Sequence, residues 1–272
     1  LEGKIMLACF GPDYKVELEG LLSRDRGLTG ITKSGVRYKT GSSRLSGSQM
    51  TTIGNTLINA YVAYCAYRIR RTGPVESFNR IGPKFGDDGI DHIEGDFVTA
   101  ANDLGLKLKC DVRDTNRYVM FCGRYYLNPK YGTSSIFNPV KAIASLPVSI
   151  GSKDHRSKII GYRTTDGHTP LIGEYCNAIT RVNKYDLNNV ELDREDEYTV
   201  KSGPYPFAEH DRDLAKQVIA ELIKTDIGSL EALVQSLNDC NEPGDIEALA
   251  LSESILHMPQ SDHSPDIRFV EG

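Results

Sequence analysis

A turn that carries two adjacent carboxylates does most to limit what this chain can fold into. The segment Gly86–Gly89 holds Asp87 and Asp88 between two glycines, and apolar residues flank it on both sides. Because Gly and Asp both favour tight turns, the segment predicts a β-hairpin with a return strand over Ile90 to Val98. A solvated hairpin tip is the commoner use of such residues. Two carboxylates on one rigid turn would also supply the hard oxygen ligands that Mg²⁺ and Mn²⁺ bind.

A second motif lies upstream of this turn. Ser46 and Gly47 are followed by Thr51 and Asn55, whose spacing places the last two on one face of a predicted helix over Thr51 to Arg71. Apolar residues recur at three- and four-residue intervals and predict that helix: Ile53, Leu57, Ala60, Tyr61 and Tyr64. Ser, Thr and Asn are also ordinary residues at a helix N-terminus, so this helix alone assigns no function.

In this order and at this separation, the two motifs resemble motifs B and C of viral RNA-dependent RNA polymerases. The surrounding residues are most similar to the polymerases of nodaviruses and their relatives. The resemblance is specific over residues 42–130, weak to residue 180 and absent from the tail. It implies an α+β fold, a right-hand polymerase palm with an antiparallel sheet and helices, followed by a mostly helical thumb. The implied domains are a fingers/palm connection (1–45), the palm with motifs B to E (46–130), the thumb (131–240) and an acidic, disordered tail (241–272).

The resemblance also implies a two-ion site for nucleotidyl transfer. Asp87 would bind Mg²⁺ or Mn²⁺ directly and Asp88 would support it. Asn55, one helical turn after Thr51, would contact the ribose 2′-hydroxyl of the incoming nucleotide. Asn59 also fits the family, and a buried hydrogen bond between helices explains it equally well.

The loop before the helix and the strands after the hairpin hold further candidates. Ser46 and Gly47 would form a flexible loop that follows the template and the incoming nucleotide. Arg44 would contact phosphate, with plain surface charge as the equal alternative. Three basic residues lie where motif D presents its general acid, and their spacing does not select one; we assign Lys109, with Lys107 and Arg113 as the alternatives. Lysines on a strand edge also serve solubility.

A second predicted hairpin runs from Tyr118 to Leu127, with its turn at Cys122 and Gly123. By resemblance it is motif E, in which Phe121, Cys122 and Arg124 would support the primer strand. Core packing explains Phe121 and Cys122 at least as well.

Motif A, an Asp-x4-Asp pattern, is missing upstream of the helix. The aspartates before Ser46 are Asp13 and Asp25, and the spacing from Asp91 to Asp96 is treated as coincidence because it follows the metal turn. The basic motif F of the fingers is missing too. We therefore expect a polymerase piece that begins between motifs A and B, consistent with a start at Leu1, and that needs the upstream fingers and motif A region for activity.

Composition and charge set wider bounds. Residues 205–272 hold 14 Asp and Glu against 4 Lys and Arg, whereas residues 1–204 hold 28 Lys and Arg against 23 Asp and Glu. A mildly basic motif region suits a polyanionic partner. The six scattered cysteines indicate neither a zinc site nor a disulfide framework, and they suggest a reducing compartment. No apolar run reaches the roughly 20 residues of a membrane span.

Periodicity predicts the remaining elements. They are helices over Tyr14 to Leu22, Gly95 to Leu104, Pro139 to Ser145, His210 to Lys224 and Ser229 to Leu237 (with Ser229 as N-cap), short strands within Gly27 to Gly41, a strand over Leu106 to Cys110, and loops over Gly151 to Lys158 and Leu187 to Tyr198.

These patterns predict an RNA-directed RNA polymerase of a positive-strand RNA virus. It would bind an RNA template, a primer or product strand and nucleoside triphosphates, in the host cytoplasm at membrane-associated replication complexes. One alternative is a non-catalytic RNA-binding or scaffolding module with a palm-like fold. The other is a reverse transcriptase, which normally lacks the Ser-Gly…Thr…Asn helix.

Overall fold

The structure is a computed structural model that describes residues 2–24, 27–41, 50–92, 94–110, 112, 118–146, 155–192, 194–248 and 268–269. Its α-helices are α1 (Glu2–Cys9), α2 (Lys15–Arg24), α3 (Thr51–Ile69), α4 (Pro74–Asn79), α5 (Phe97–Asp103), α6 (Pro139–Ser145), α7 (His155–Asp166), α8 (Ile172–Val182), α9 (Arg194–Ser202), α10 (Arg212–Leu222), α11 (Ile227–Asp239) and α12 (Pro243–Ala248). Its strands are β1 (Thr29–Ile31), β2 (Arg37–Lys39), β3 (Lys84–Phe85), β4 (Asp88–Gly89), β5 (Leu106–Lys107), β6 (Val119–Phe121), β7 (Arg124–Tyr126), β8 (Ser135–Phe137) and β9 (Arg268–Phe269). This mixture of helices with small antiparallel sheets is compatible with the predicted α+β class.

The chain forms two compact units. The first contains the described residues up to Val112 together with β9, and the second contains those from Tyr118 to Ala248. None of the helices in these described ranges combines the length and the apolar character needed to cross a bilayer.

Helix α3 is the central element of the first unit and packs along α5. The predicted helix is confirmed, and Ile53 of its apolar repeat is 50% exposed. The residues that α3 buries lie on the neighbouring stripe: Gly54, Asn59, Val62, Ala63, Ala66 and Tyr67. Small alanines on this stripe, facing Ala100 and Ala101 of α5, let the two helices approach closely.

The strands of the first unit are shorter than predicted. β1 and β2 are the short strands predicted within Gly27 to Gly41, and they pair as a hairpin. The predicted return strand over Ile90 to Val98 is wrong, because β4 ends at Gly89 and Asp96 caps α5 by accepting the Thr99 amide. The strand predicted over Leu106 to Cys110 is reduced to β5, which pairs antiparallel with β9.

The second unit contains the predicted motif E hairpin. β6 and β7 pair antiparallel with Phe121 opposite Arg124, and β8 adds a third strand. Cys122 and Gly123 have φ values of 51° and 74°. Two positive φ angles in a two-residue turn match the right-handed twist of the flanking strands, so the predicted hairpin and its turn are confirmed.

Helices surround the main core of the second unit. Its fully buried residues include Leu146, Ile159, Ile172, Ile219 and Leu237. The predictions of α6, α10 and α11 are confirmed, although the N-cap of α11 is Asp226, which accepts the Ser229 amide, and not Ser229. The predicted loops were too long, because α7 begins at His155 and α9 at Arg194.

A buried ion pair joins β7 to α7. The Arg124 guanidinium donates to both carboxylate oxygens of Asp166, at 2.7 and 3.2 Å, and to the Ser135 hydroxyl at 3.0 Å. It also stacks on the Tyr205 ring at 3.6 Å from the centroid. The two charged side chains are 7% and 4% exposed. Their hydrogen bonds satisfy the buried charge within the protein.

We expect Arg124→Met to lower the free energy of unfolding by about 3–5 kcal/mol, because it leaves the Asp166 carboxylate buried without its partner. Urea unfolding of the 272-residue chain, followed by circular dichroism, measures the change. Arg212→Met is the matched control, since that arginine pairs with Glu209 on the surface. Equal unfolding midpoints for the two variants would contradict the prediction.

Candidate active site

The two adjacent carboxylates lie on the hairpin formed by β3 and β4. Phe85 pairs with Asp88, and Gly86 and Asp87 make the turn between them. Gly86 is buried with φ +62°, a backbone conformation that glycine adopts without steric cost. Asp87 is exposed and Asp88 is half-buried. The hairpin therefore exposes Asp87 more than Asp88 to solvent.

Helix α3 holds this turn through two side chains. The Asn59 Nδ2 donates to the carbonyl oxygens of Asp87 and Asp88, both at 3.0 Å, and reaches that of Gly86 at 3.5 Å. The Thr56 hydroxyl accepts the Gly86 amide at 2.8 Å and donates to the Thr52 carbonyl oxygen at 2.7 Å. The predicted motif B helix and the predicted motif C turn are thus joined by hydrogen bonds, and Asn59 links a helix to a turn.

Thr51, Asn55 and Asn59 form a polar row on α3. They are spaced by four residues, so they lie on one face of the helix, one turn apart. Thr51 and Asn55 are half-buried. Because Asn59 contacts the turn, the row extends from the turn towards the N-terminus of the helix. The predicted contact of Asn55 and Thr51 with a ribose stays a prediction.

A buried ion pair lies at the base of the hairpin. The Lys84 ammonium contacts the Asp91 carboxylate, and the two side chains are 4% and 14% exposed. Burial lowers the pKa of Lys84, and the hydrogen bond to Asp91 opposes that shift. Asp91 also accepts the Gly82 amide at 3.1 Å. Asp91 therefore supports the hairpin, as Asp96 supports α5.

The residues of the turn fit part of a two-ion site. Carboxylate oxygens are the ligands that Mg²⁺ and Mn²⁺ prefer, and Asp87 and Asp88 supply them from adjacent positions. Across the described ranges, no group of three or more His, Cys, Asp or Glu side chains is placed to hold a metal ion. A bridged pair of ions needs further ligands from a second element, so the turn supplies one side of such a site.

The other predicted site residues are only partly described. Lys107 lies on β5 and Lys109 just after it, and both are exposed. Arg124 is in the second unit, where its guanidinium is engaged by Asp166 and Ser135, and its predicted RNA contact stays a prediction. Arg44, Ser46, Gly47 and Arg113 lie outside the described residues.

Sequence reasoning missed three supports of the turn: Thr56, Lys84 and Asp91. Thr56 carried no signal, because a threonine on a predicted helix has many uses.

The chain is similar in sequence to several RNA-directed RNA polymerases of known viruses. The chain is 28% identical over 242 residues to the RNA-directed RNA polymerase of Pariacoto virus, covering 85% of this chain and 24% of that protein. It is 33% identical over 178 residues to the polymerase of Greasy grouper nervous necrosis virus, covering 62% and 18%. It is 28% identical over 253 residues to that of Flock house virus, covering 85% and 25%.

No family model matches the chain. The chain spans about a quarter or less of the length of the curated relatives it matches. The predicted resemblance to the RNA-directed RNA polymerases of nodaviruses and related viruses is confirmed by these relatives.

Proposed function

We propose that this chain is a segment of an RNA-directed RNA polymerase of a positive-strand RNA virus. The longer protein would add nucleoside triphosphates to an RNA 3′ end on an RNA template. The main structural support for the proposal is that Asn59 and Thr56 of α3 hydrogen-bond to the backbone of the turn that holds Asp87 and Asp88. The similarity to viral polymerases over much of this chain supports it independently.

Asp87 and Asp88 would hold the metal from the hairpin tip. A pair of bound Mg²⁺ or Mn²⁺ ions would activate the attacking 3′-hydroxyl and stabilise the leaving pyrophosphate. Asp87 is exposed and so is accessible as a direct ligand, whereas the half-buried Asp88 supports it. Asn59 and Thr56 hold the backbone of the turn, and this fixes the positions from which the side chains of the two aspartates extend.

By the resemblance, further residues would position the substrates. Lys109 is our candidate for the general acid that protonates pyrophosphate, with Lys107 and Arg113 as the alternatives. Ser46, Gly47 and Arg44 would contact the template and the incoming nucleotide, and Arg124 would support the primer end. The partners would be RNA, nucleoside triphosphates and the upstream fingers with the motif A region.

The finer architecture is also part of the proposal. Residues 46–130 would form the palm with motifs B to E, residues 131–240 the thumb, residues 1–45 a connection to the fingers, and residues 241–272 an acidic tail, within which α12 and β9 correct the predicted disorder for their own residues. Most of that tail lies outside the described residues. By the same resemblance, the enzyme would work in the host cytoplasm at membrane-associated replication complexes.

Asn55→Ala is expected to weaken the preference for ribonucleotides over deoxyribonucleotides by about 1–3 kcal/mol, because a buried 2′-hydroxyl would lose its partner. RNA binding should change little, since phosphate contacts dominate it. Competing ATP and dATP incorporation by the longer polymerase measures the ratio. Asn102→Ala, an exposed asparagine of α5, is the matched control. An unchanged ratio would make Asn55 a structural residue.

One experiment separates the proposal from its alternatives. A longer protein that carries this chain is incubated with a defined RNA template, labelled nucleotides and Mg²⁺ or Mn²⁺. One ribonucleotide is omitted from the mixture. Products that end at the first template position requiring that ribonucleotide support a polymerase. Preferred use of deoxyribonucleotides indicates a reverse transcriptase. RNA binding without incorporation, under conditions in which a nodavirus polymerase is active, indicates a non-catalytic module.

A further inference from the structure

The Lys84–Asp91 pair has no role in the chemistry proposed so far. Besides Asp91, the Lys84 ammonium donates to the Ile90 carbonyl oxygen at 3.4 Å. Asp91 in turn accepts the Gly82 amide at 3.1 Å. The pair thus ties the segment before β3 to the segment after β4, and it closes the base of the hairpin that carries the two carboxylates.

The Lys84 side chain and Asn59 lie against the same short strand. A Cβ atom built on Gly89 would lie 2.9 Å from the Lys84 Nζ and 3.1 Å from the Asn59 Nδ2. Gly89 follows Asp88 and pairs with Lys84, so both polar groups lie beside β4 where it leaves the turn. Asn59 holds the turn from α3, and the ion pair holds it from the base.

The energetics favour a positioning role over a stabilising one. Desolvation of two buried charges offsets most of their attraction, and an apolar pair of similar volume is often as stable. A buried ion pair does, however, impose one geometry on the groups around it. A metal-binding turn needs its ligands held to within about 0.5 Å, which is where such a constraint is useful.

We propose that Lys84 and Asp91 are positioning residues that act with Asn59 to fix the metal-binding turn. The inference rests on the proposed function, because it treats Asp87 as a metal ligand. Two separate measurements distinguish a failure of this inference from a failure of the proposed function.

The first measurement is amide hydrogen exchange of the 272-residue chain by nuclear magnetic resonance. It follows the Gly86 amide, which donates to Thr56, and the Ile90 amide, which donates to the Pro83 carbonyl oxygen. Lys84→Met and Asp91→Asn should each raise exchange at both amides at least tenfold. Amides of α7 and α8 should not change. Lys33→Met, at an exposed lysine of the β1–β2 loop, is the control.

The double variant Lys84→Met with Asp91→Leu separates positioning from stability. It leaves no unpaired buried charge, so its thermal midpoint should return close to wild type. Exchange at Gly86 and Ile90 should stay fast, because the hydrogen bonds that close the hairpin are still missing. Wild-type exchange in the double variant would overturn the inference, even if both single variants unfold.

The second measurement uses the longer polymerase. The concentration of free Mn²⁺, measured by electron paramagnetic resonance, gives the dissociation constant for the metal. The rate of nucleotide addition gives the Mn²⁺ concentration at which the rate is half-maximal. Both constants should rise about tenfold in the double variant, with the KM for RNA unchanged. Unchanged metal constants would overturn the inference. A wild-type polymerase without activity would overturn the proposed function, while hydrogen exchange would still decide the positioning role.

Discussion

Asp87→Ala is expected to lower templated nucleotide addition by the longer polymerase about a thousandfold or more. The exposed carboxylate is the proposed direct metal ligand, and electrostatic stabilisation by bound metal is a large part of the rate of phosphoryl transfer. RNA affinity should stay within a fewfold of wild type, because basic side chains supply the phosphate contacts. Single-turnover extension of a labelled primer, with Mg²⁺ in excess, measures the rate.

Asp103→Ala provides the matched control, because Asp103 is an exposed aspartate at the end of α5 in the same unit. It should extend the primer at the wild-type rate. Elongation by the Asp87→Ala polymerase at a similar rate would exclude Asp87 as a metal ligand.

The 272-residue chain alone is expected to show no templated incorporation with Mg²⁺ or Mn²⁺. A two-ion site needs bridging ligands from more than one element, and in the described residues Asp87 and Asp88 come from a single turn. By the proposed resemblance, basic fingers upstream of this chain would position the triphosphate, and positioning supplies much of the rate.

The comparison is between this chain and the same chain extended upstream through the expected Asp-x4-Asp and the fingers. Labelled nucleotide should enter the product only with the extended protein. Robust synthesis by the short chain would mean that its first 45 residues hold a metal ligand, with Asp13 and Asp25 as the first candidates.

Local chemistry explains which elements the sequence could predict. The hairpin at Cys122 and Gly123 and the helix α6 after Asn138 depend on residues within a few positions of each other. The buried side of α3 depends on what packs against it. Asn59 holds the hairpin and small alanines face α5, whereas Ile53 of the apolar repeat is exposed, so the period predicts the helix but does not locate its buried stripe.

The same distinction between local motifs and long-range contacts applies to the candidate site. Asp87, Asp88, Thr51 and Asn55 belong to short motifs that the sequence displays directly. The contacts of Thr56 with Gly86 and of Lys84 with Asp91 depend on how the hairpin folds onto α3. Position along the chain carries no signal for the first of these, because 30 residues separate the partners.

Helix α3 carries both the polar row and the two side chains, Asn59 and Thr56, that hold the turn of Asp87 and Asp88. Each residue of an α-helix advances by about 1.5 Å and rotates the next side chain by roughly 100°. A single insertion or deletion between Asn55 and Asn59 would therefore turn the proposed sugar contact away from the face that holds Gly86 to Asp88. We expect evolution to preserve the length of this segment strictly, and substitutions that change nucleotide choice to carry a cost in metal dependence. Variants selected for altered fidelity should then also differ in their response to Mn²⁺.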